Sequence, residues 1–308
     1  MTVSQTDIVY SAATDWFYAD LAQRLWRDLP PALREHTRLW DAPAWLAAPT
    51  APRVVVVNWV ETVNDPRLSR ADADALMSKV NSAPERVLLV AECVGTIWFQ
   101  RQLDGPDWTT ILDLGRQPQA SPESVASNVY RFLRYAPTEA EKGKLMSVRA
   151  LPPEAFNRRP IPWAVVGGLT PERATLVAAL ADWRPNGLAF LPPGEPFQVR
   201  ADRGRLGKAQ LERVLEKTQF YVWVSHHEHP YFESFRALDA LLAGACPVKL
   251  DARYAAALRP LGGVLASIDE LRNFAATDEP WRLVVRLCDE WLEQPSLGTA
   301  FAALWRRD

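Results

Sequence analysis

Arg236 and Asp239 stand three residues apart in a run that reads Glu233-Ser234-Phe235-Arg236-Ala237-Leu238-Asp239-Ala240. On a helix that spacing sends both side chains off the same face. A helix N-terminus attracts an anion through its free N–H groups and its dipole, and an arginine in the first turn adds a planar donor fork suited to phosphate. A carboxylate about 5 Å further along the axis, at a rise of 1.5 Å per residue, is placed to accept hydrogen bonds from a ribose diol. The pair therefore matches the diphosphate and ribose of one nucleotide-sugar. It equally matches a plain i, i+3 ion pair, worth about 0.2–0.5 kcal/mol.

Just upstream, Ser225-His226-His227-Glu228-His229 is dense in titratable groups. Adjacent residues rarely converge on one ion, and zinc-type histidines want i, i+4 spacing on a helix. The histidines read instead as contacts to a donor phosphate or a reacting sugar, or as loop residues with no chemistry. Asp72-Ala73-Asp74 mimics a metal-binding Asp-x-Asp, but it lies inside an alanine-rich helix pattern capped by Ser69, where i, i+2 side chains diverge.

The elements that must position these residues are a β-rich run at 220–224, a polar loop at 225–230, a helix at 233–243 closed by Gly244, and a strand resuming at Val248 after Pro247. Strand, loop, helix, strand is one βαβ unit of a parallel sheet. Ser234-Phe235-Arg236-Ala237-Leu238-Asp239-Ala240, followed three residues later by Gly244-Ala245-Cys246-Pro247-Val248, resembles the donor-binding segment of GT-B glycosyltransferases. Group 1, exostosin-like, fucosyltransferase-like and CgeB-like enzymes carry versions of it. A second segment, Gly167-Gly168 followed by Thr170, Pro171, Glu172 and Arg173, is similar to the opening of the donor domain in the group 1 enzymes.

The resemblance implies a metal-independent transfer of a sugar from a nucleoside-diphosphate sugar, which is a substrate, with no cofactor. Arg236 and Arg173 would face the diphosphate and Asp239 the ribose. Ser225, His226, Glu233, Ser234 and Phe235 would line the donor. In an inverting reaction a carboxylate or histidine must deprotonate the acceptor hydroxyl. Asp15 and Glu92, at strand ends, rank first for that role, with His227 beside the donor sugar. Two positions depart from the family pattern: Tyr231 stands where a glutamate is common, and Gly168 where an arginine is. These departures keep open a nucleotide-sugar or partner-binding protein that lost turnover. An epimerase or hydrolase on the same scaffold is a third reading.

The whole chain fits this frame. Its 308 residues accommodate two α/β domains. A formal net charge of −2 gives no bulk attraction for nucleic acid or an anionic membrane. Cys93, Cys246 and Cys288 share no metal-type spacing, which points to a reducing cytoplasm. The N-terminus has no signal-peptide pattern, and no apolar run reaches the length of a membrane span. Strands at 7–11, 53–58, 86–91 and 108–114 alternate with helices at 16–29, 69–82 and 121–136, the pattern of a doubly wound parallel sheet. The expected layout is an acceptor domain over 1–150, a proline-rich linker over 151–162 and a donor domain over 163–280. Two C-terminal helices over 281–308 can pack back on the N-terminal domain.

Overall fold

The computed structural model describes residues 4–13, 17–115, 129–193, 206–224 and 229–305. The N-terminal sheet contains β1 (Thr6–Tyr10), β2 (Thr37–Asp41), β3 (Arg53–Val57), β4 (Glu85–Val90), β5 (Thr110–Asp113) and β6 (Tyr130–Phe132), in the order β2-β1-β3-β4-β5-β6. The second sheet contains β7 (Ile161–Val166), β8 (Leu188–Phe190), β9 (Thr218–Val224), β10 (Cys246–Leu250) and β11 (Val264–Leu265), in the order β11-β10-β9-β7-β8. Every described strand pair is parallel.

The β-branched run in β3 shows why. Val54 and Val56 join one apolar cluster with Trp45, Leu76 and Phe99, while Val55 and Val57 join the other with Leu21, Leu25 and Phe301. A strand buried on both faces needs apolar residues at every position, and full burial of each valine is worth about 1.5–3 kcal/mol. Helix Arg70–Ser82 starts at the Ser69 cap, whose hydroxyl accepts from the Asp72 N–H while the Asp72 carboxylate returns to Ser69. Asp72 thus serves helix capping.

The two sheets meet across a cleft. Tyr231, from the second half, donates its hydroxyl to the Ala91 carbonyl at 2.7 Å, and the rings of Phe17 and Phe235 lie 4.2 Å apart. Two Rossmann-like domains facing each other in this way are the GT-B architecture.

The layout differs from the sequence expectation in three places. Residues 130–132 form β6 rather than helix, because pairing with β5 outweighs local propensity. The expected linker is structured: it contains helix Pro153–Asn157, and Arg159 donates to the carbonyls of Leu215, Thr218 and Ala243. Helix Glu139–Arg149, expected within the N-terminal domain, packs instead on helices Ser234–Leu242 and Glu279–Leu292 of the second half.

The chain then repays the exchange: helix Leu297–Trp305 packs on helix Phe17–Asp28 of the N-terminal domain. One carboxylate serves both crossings. Asp28 accepts from the Glu139 N–H at 2.8 Å and from the Gly298 N–H at 2.6 Å. A Cβ on Gly298 would sit 2.0 Å from the Asp28 carbonyl oxygen, so glycine is required there. Asp28→Ala strands two helix-start donors and should cost about 1–3 kcal/mol of stability. Asp28→Asn, which keeps an acceptor, should lose less, and urea midpoints of the two variants measure the difference.

Candidate active site

In an open parallel sheet, ligands gather beyond the strand C-termini where the strand order reverses. The second sheet reverses between β7 and β9. At that point β7 ends in Gly167 and Gly168, and helix Pro171–Trp183 begins with the Thr170 hydroxyl accepting from the Arg173 N–H. Arg173 is buried and donates to the Gly168 carbonyl at 2.7 Å. A Cβ on Gly167 would approach its guanidinium to 2.9 Å, so the glycine leaves room for the arginine.

From the next unit, Arg236 reaches the same place. It donates to the Val166 carbonyl at 2.9 Å and to the Tyr221 hydroxyl at 2.7 Å, and its Nε is buried with no partner. Burial and the neighbouring Arg236 charge together lower Arg173 to about 10. Two like charges held close together repel each other, and an anion between them relieves both. Ser234 opens helix Ser234–Leu242, and its buried hydroxyl is also unpartnered. A helix start, an unpartnered hydroxyl and two guanidinium groups thus lie around the C-terminal end of β7, with the chemistry of a phosphate cradle.

Glu233 sits immediately before that helix, where it is fixed by its partners. Trp223 Nε1 and the fully buried Lys249 Nζ each donate to Glu233 Oε2 at 2.9 Å, and Lys249 also donates to the Tyr231 carbonyl. Burial alone would raise this carboxyl, but Lys249, then Arg236, and the two hydrogen bonds hold it at about 2. The ion pair anchors the start of the helix and the backbone of Tyr231 together.

Asp239 does not join the two arginines. Its carboxylate pairs with Lys208, which also lies 3.4 Å from Asp20 of the N-terminal domain. These residues line a cavity of about 390 Å³ between helices Phe17–Asp28, Glu139–Arg149, Lys208–Leu215 and Ser234–Leu242. Phe235 likewise turns to Phe17 across the domain boundary. The i, i+3 spacing predicted one shared face, but Arg236 turns to Val166 and Tyr221 while Lys208, beyond β8, takes Asp239 into this cavity.

The facing N-terminal sheet reverses between β1 and β3, and Glu92 lies just past β4 beside that point. Burial lifts its carboxyl to about 7 against the pull of a hydrogen bond from the Tyr18 hydroxyl, 2.8 Å from Oε1. Asp113, at the end of β5, is raised to about 7 for the same reason, although the Tyr130 hydroxyl and the Gly115 N–H donate to it. Sequence reasoning missed Asp113 because the strand was expected to run on through it, over 108–114, whereas it ends there. Tyr231 enters this edge from the other domain: a Cβ on Gly115 would sit 2.1 Å from its ring. Among the expected site residues, Asp15, Ser225, His226 and His227 lie outside the described residues. Among the described residues, no group of three or more His, Cys, Asp or Glu side chains is arranged to hold a metal ion, and no helix is long and apolar enough to cross a membrane.

No protein-family model and no curated protein sequence matches the chain. Solved structures do. The chain is similar to Anabaena Alr3699/HepE in complex with UDP and glucose, with a TM-score of 0.56 at 10% identity over 98% of this chain and 99% of that one. The same protein with UDP-glucose gives a TM-score of 0.53 at 10% identity over 97% and 99%. With UDP it gives 0.50 at 8% identity over 98% and 99%. At this level of identity, what the chain shares with them end to end is the fold.

Proposed function

We propose that this protein is a glycosyltransferase that moves a hexosyl group from a nucleoside-diphosphate sugar to a hydroxyl-bearing acceptor. The observation that carries the reading is the meeting of Arg173 and Arg236 at the end of β7, on the Gly168 and Val166 carbonyls, with the buried Arg236 Nε and Ser234 hydroxyl unpartnered. UDP is the nucleotide we favour, because the similar HepE structures hold UDP, UDP-glucose, or UDP and glucose.

In this reading the diphosphate lies between the two guanidinium groups, which stabilise the charge that builds on the leaving group, so no metal is required. Glu92 faces it from the N-terminal domain as the base of an inverting displacement. The acceptor oxygen forms a bond to the anomeric carbon and its proton passes to Glu92. The bond from that carbon to the diphosphate oxygen breaks, and the nucleotide departs with the electron pair. A carboxyl lifted to about 7 is well matched to this proton transfer near neutral pH. Glu233 serves by fixing the helix start, and the ribose role expected of Asp239 is set aside because Lys208 holds its carboxylate. The three free, buried cysteines suit a reducing cytoplasm.

Thermal-shift measurements with UDP-, GDP-, CMP- and dTDP-sugars test the donor. Ligand at 100 times its Kd stabilises the folded state by about 2.7 kcal/mol. A rise with one nucleotide class, unchanged by EDTA, is the expected result, and no shift with any at millimolar concentration would overturn the reading. A second reading, a nucleotide-sugar-binding protein without turnover, is favoured by Tyr231, which fills the interdomain edge where the family commonly carries a glutamate. It predicts the same shift with no release of nucleotide in the presence of any acceptor.

A further inference from the structure

Helix Phe17–Asp28 carries a tyrosine into the crevice between the ends of β1, β3 and β4. Tyr18 is buried, its hydroxyl donates to Glu92 Oε1 at 2.8 Å, and its oxygen lies 3.3 Å from the Ala91 N–H. The Asn58 side chain lies beside that oxygen and opposes the rise in its proton affinity. A phenol has one proton, and the Ala91 N–H can only give. With that donor on its oxygen, Tyr18 directs its own proton to Glu92.

The orientation of Asn58 is itself set. Its Oδ1 accepts from the Glu61 N–H at 2.9 Å and from Gln102 Nε2 at 3.0 Å, which leaves the NH2 group to face Tyr18. Gln102 is oriented in turn, because its Oε1 accepts from the Val60 N–H at 3.2 Å. Asn58, Gln102 and Tyr18 are all buried. Asn58 holds φ at +54°, a left-handed conformation that no other non-glycine adopts among the described residues. Such strain persists only where the surroundings over-determine it, and it collects at functional sites.

We infer that the Ala91 N–H and Tyr18 form a one-way donor relay that positions Glu92, occupying Oε1 and leaving Oε2 as the oxygen that takes the acceptor's proton. This rests on the transferase reading for what Glu92 does, but the relay is a property of the free protein. A backbone N–H cannot accept, so the relay cannot reverse without stranding the Ala91 donor. The titratable groups facing Tyr18 or Glu92 are Glu61 on the helix after β3, Cys93 beside Glu92, Asp113 at the end of β5, and Tyr231 from the second domain. None of these is a cation, so Tyr18 is the group that favours the charged form of Glu92.

Difference infrared spectroscopy of the protonated carboxyl, with the Glu92 band identified by its loss in Glu92→Gln, reads the titration directly. Tyr18→Phe should raise the Glu92 midpoint by about one unit, a tenfold gain in proton affinity. The acid limb of a kcat/KM–pH profile should move up by the same amount, with the rate recovering at higher pH. A tyrosine that only packs would lower the melting temperature and leave the midpoint in place, and that result would overturn the relay. Where Tyr18→Phe does not fold, Asn58→Asp carries the test. Its carboxylate can still cap Glu61 but offers Tyr18 a second acceptor, so the midpoint should again rise, and an unmoved midpoint refutes the relay. The titration needs neither donor nor acceptor, so its failure is separate from failure of the transferase reading, which shows as loss of nucleotide binding or transfer with the titration intact.

Discussion

Arg236→Ala should weaken binding of the nucleotide by about 10- to 150-fold, because a hydrogen bond to a charged group is worth about 1.5–3 kcal/mol. The side chain offers what a phosphate needs: a buried Nε with no partner, and an Nη1 already fixed by Val166 and Tyr221 so that little freedom is lost on binding. Arg236→Lys keeps the charge but not the fork, and should fall between wild type and alanine. The neighbouring Arg173 supplies an internal check. Relieved of a like charge, it should bind its proton more tightly in Arg236→Ala, while its hydrogen bond to Gly168 remains. Isothermal titration with UDP on the three proteins gives the ratios. Equal affinity for all three would remove Arg236 from the donor site.

The largest effect on stability is expected at Lys249. Lys249→Met leaves Glu233 buried beside Trp223 with its principal counter-charge gone, and breaking a buried pair from one side costs about 3–5 kcal/mol. Its pH dependence has a definite sign. Glu233 is depressed in the folded protein, from 4.5 to about 2. Its contribution is therefore present above pH 4.5 and is lost as pH falls from there toward 2. In Lys249→Met the carboxyl rises instead, because burial is no longer opposed by the lysine. The deficit relative to wild type should then be largest at pH 7 and should shrink at pH 4. Lys249→Met with Glu233→Gln should recover much of the loss, since the Glu233 charge is no longer buried unpaired. Urea unfolding of both variants at the two pH values decides this, and a deficit independent of pH would mean that packing rather than charge dominates.

The parts of the site carried by local pattern were legible in the sequence. Thr170-Pro171 and the run from Ser234 to Asp239 announce helix starts, and helix starts bring their own N–H groups, so Arg173 and Arg236 could be placed before any fold was known. Glu92 was legible as a polar residue closing an apolar strand. Partners chosen across the chain were not. Asp239 pairs with Lys208, 31 positions away, beyond the reach of any local pattern. Lys249 looked like an ordinary residue of a short strand, and only the fold seats it under Glu233. Tyr18 read as one residue of an amphipathic helix, since its partner Glu92 is 74 positions distant. Residues 139–149 were placed with the N-terminal domain only by their position ahead of the proline-rich stretch, which does not say that a helix there packs on Ser234–Leu242 and Glu279–Leu292.

That exchanged helix has a mechanical consequence. The halves are joined by two straps, one entering helix Glu139–Arg149 and the other entering helix Leu297–Trp305, and both pass the same Asp28 carboxylate. A single connection would let the halves swivel in any direction, whereas two that cross at one place permit rotation chiefly about the line through them, as a door turns on its pins. Opening and closing of the cleft is thereby confined to one path. Neither half is complete when cut from the other, because each borrows a helix to cover its sheet.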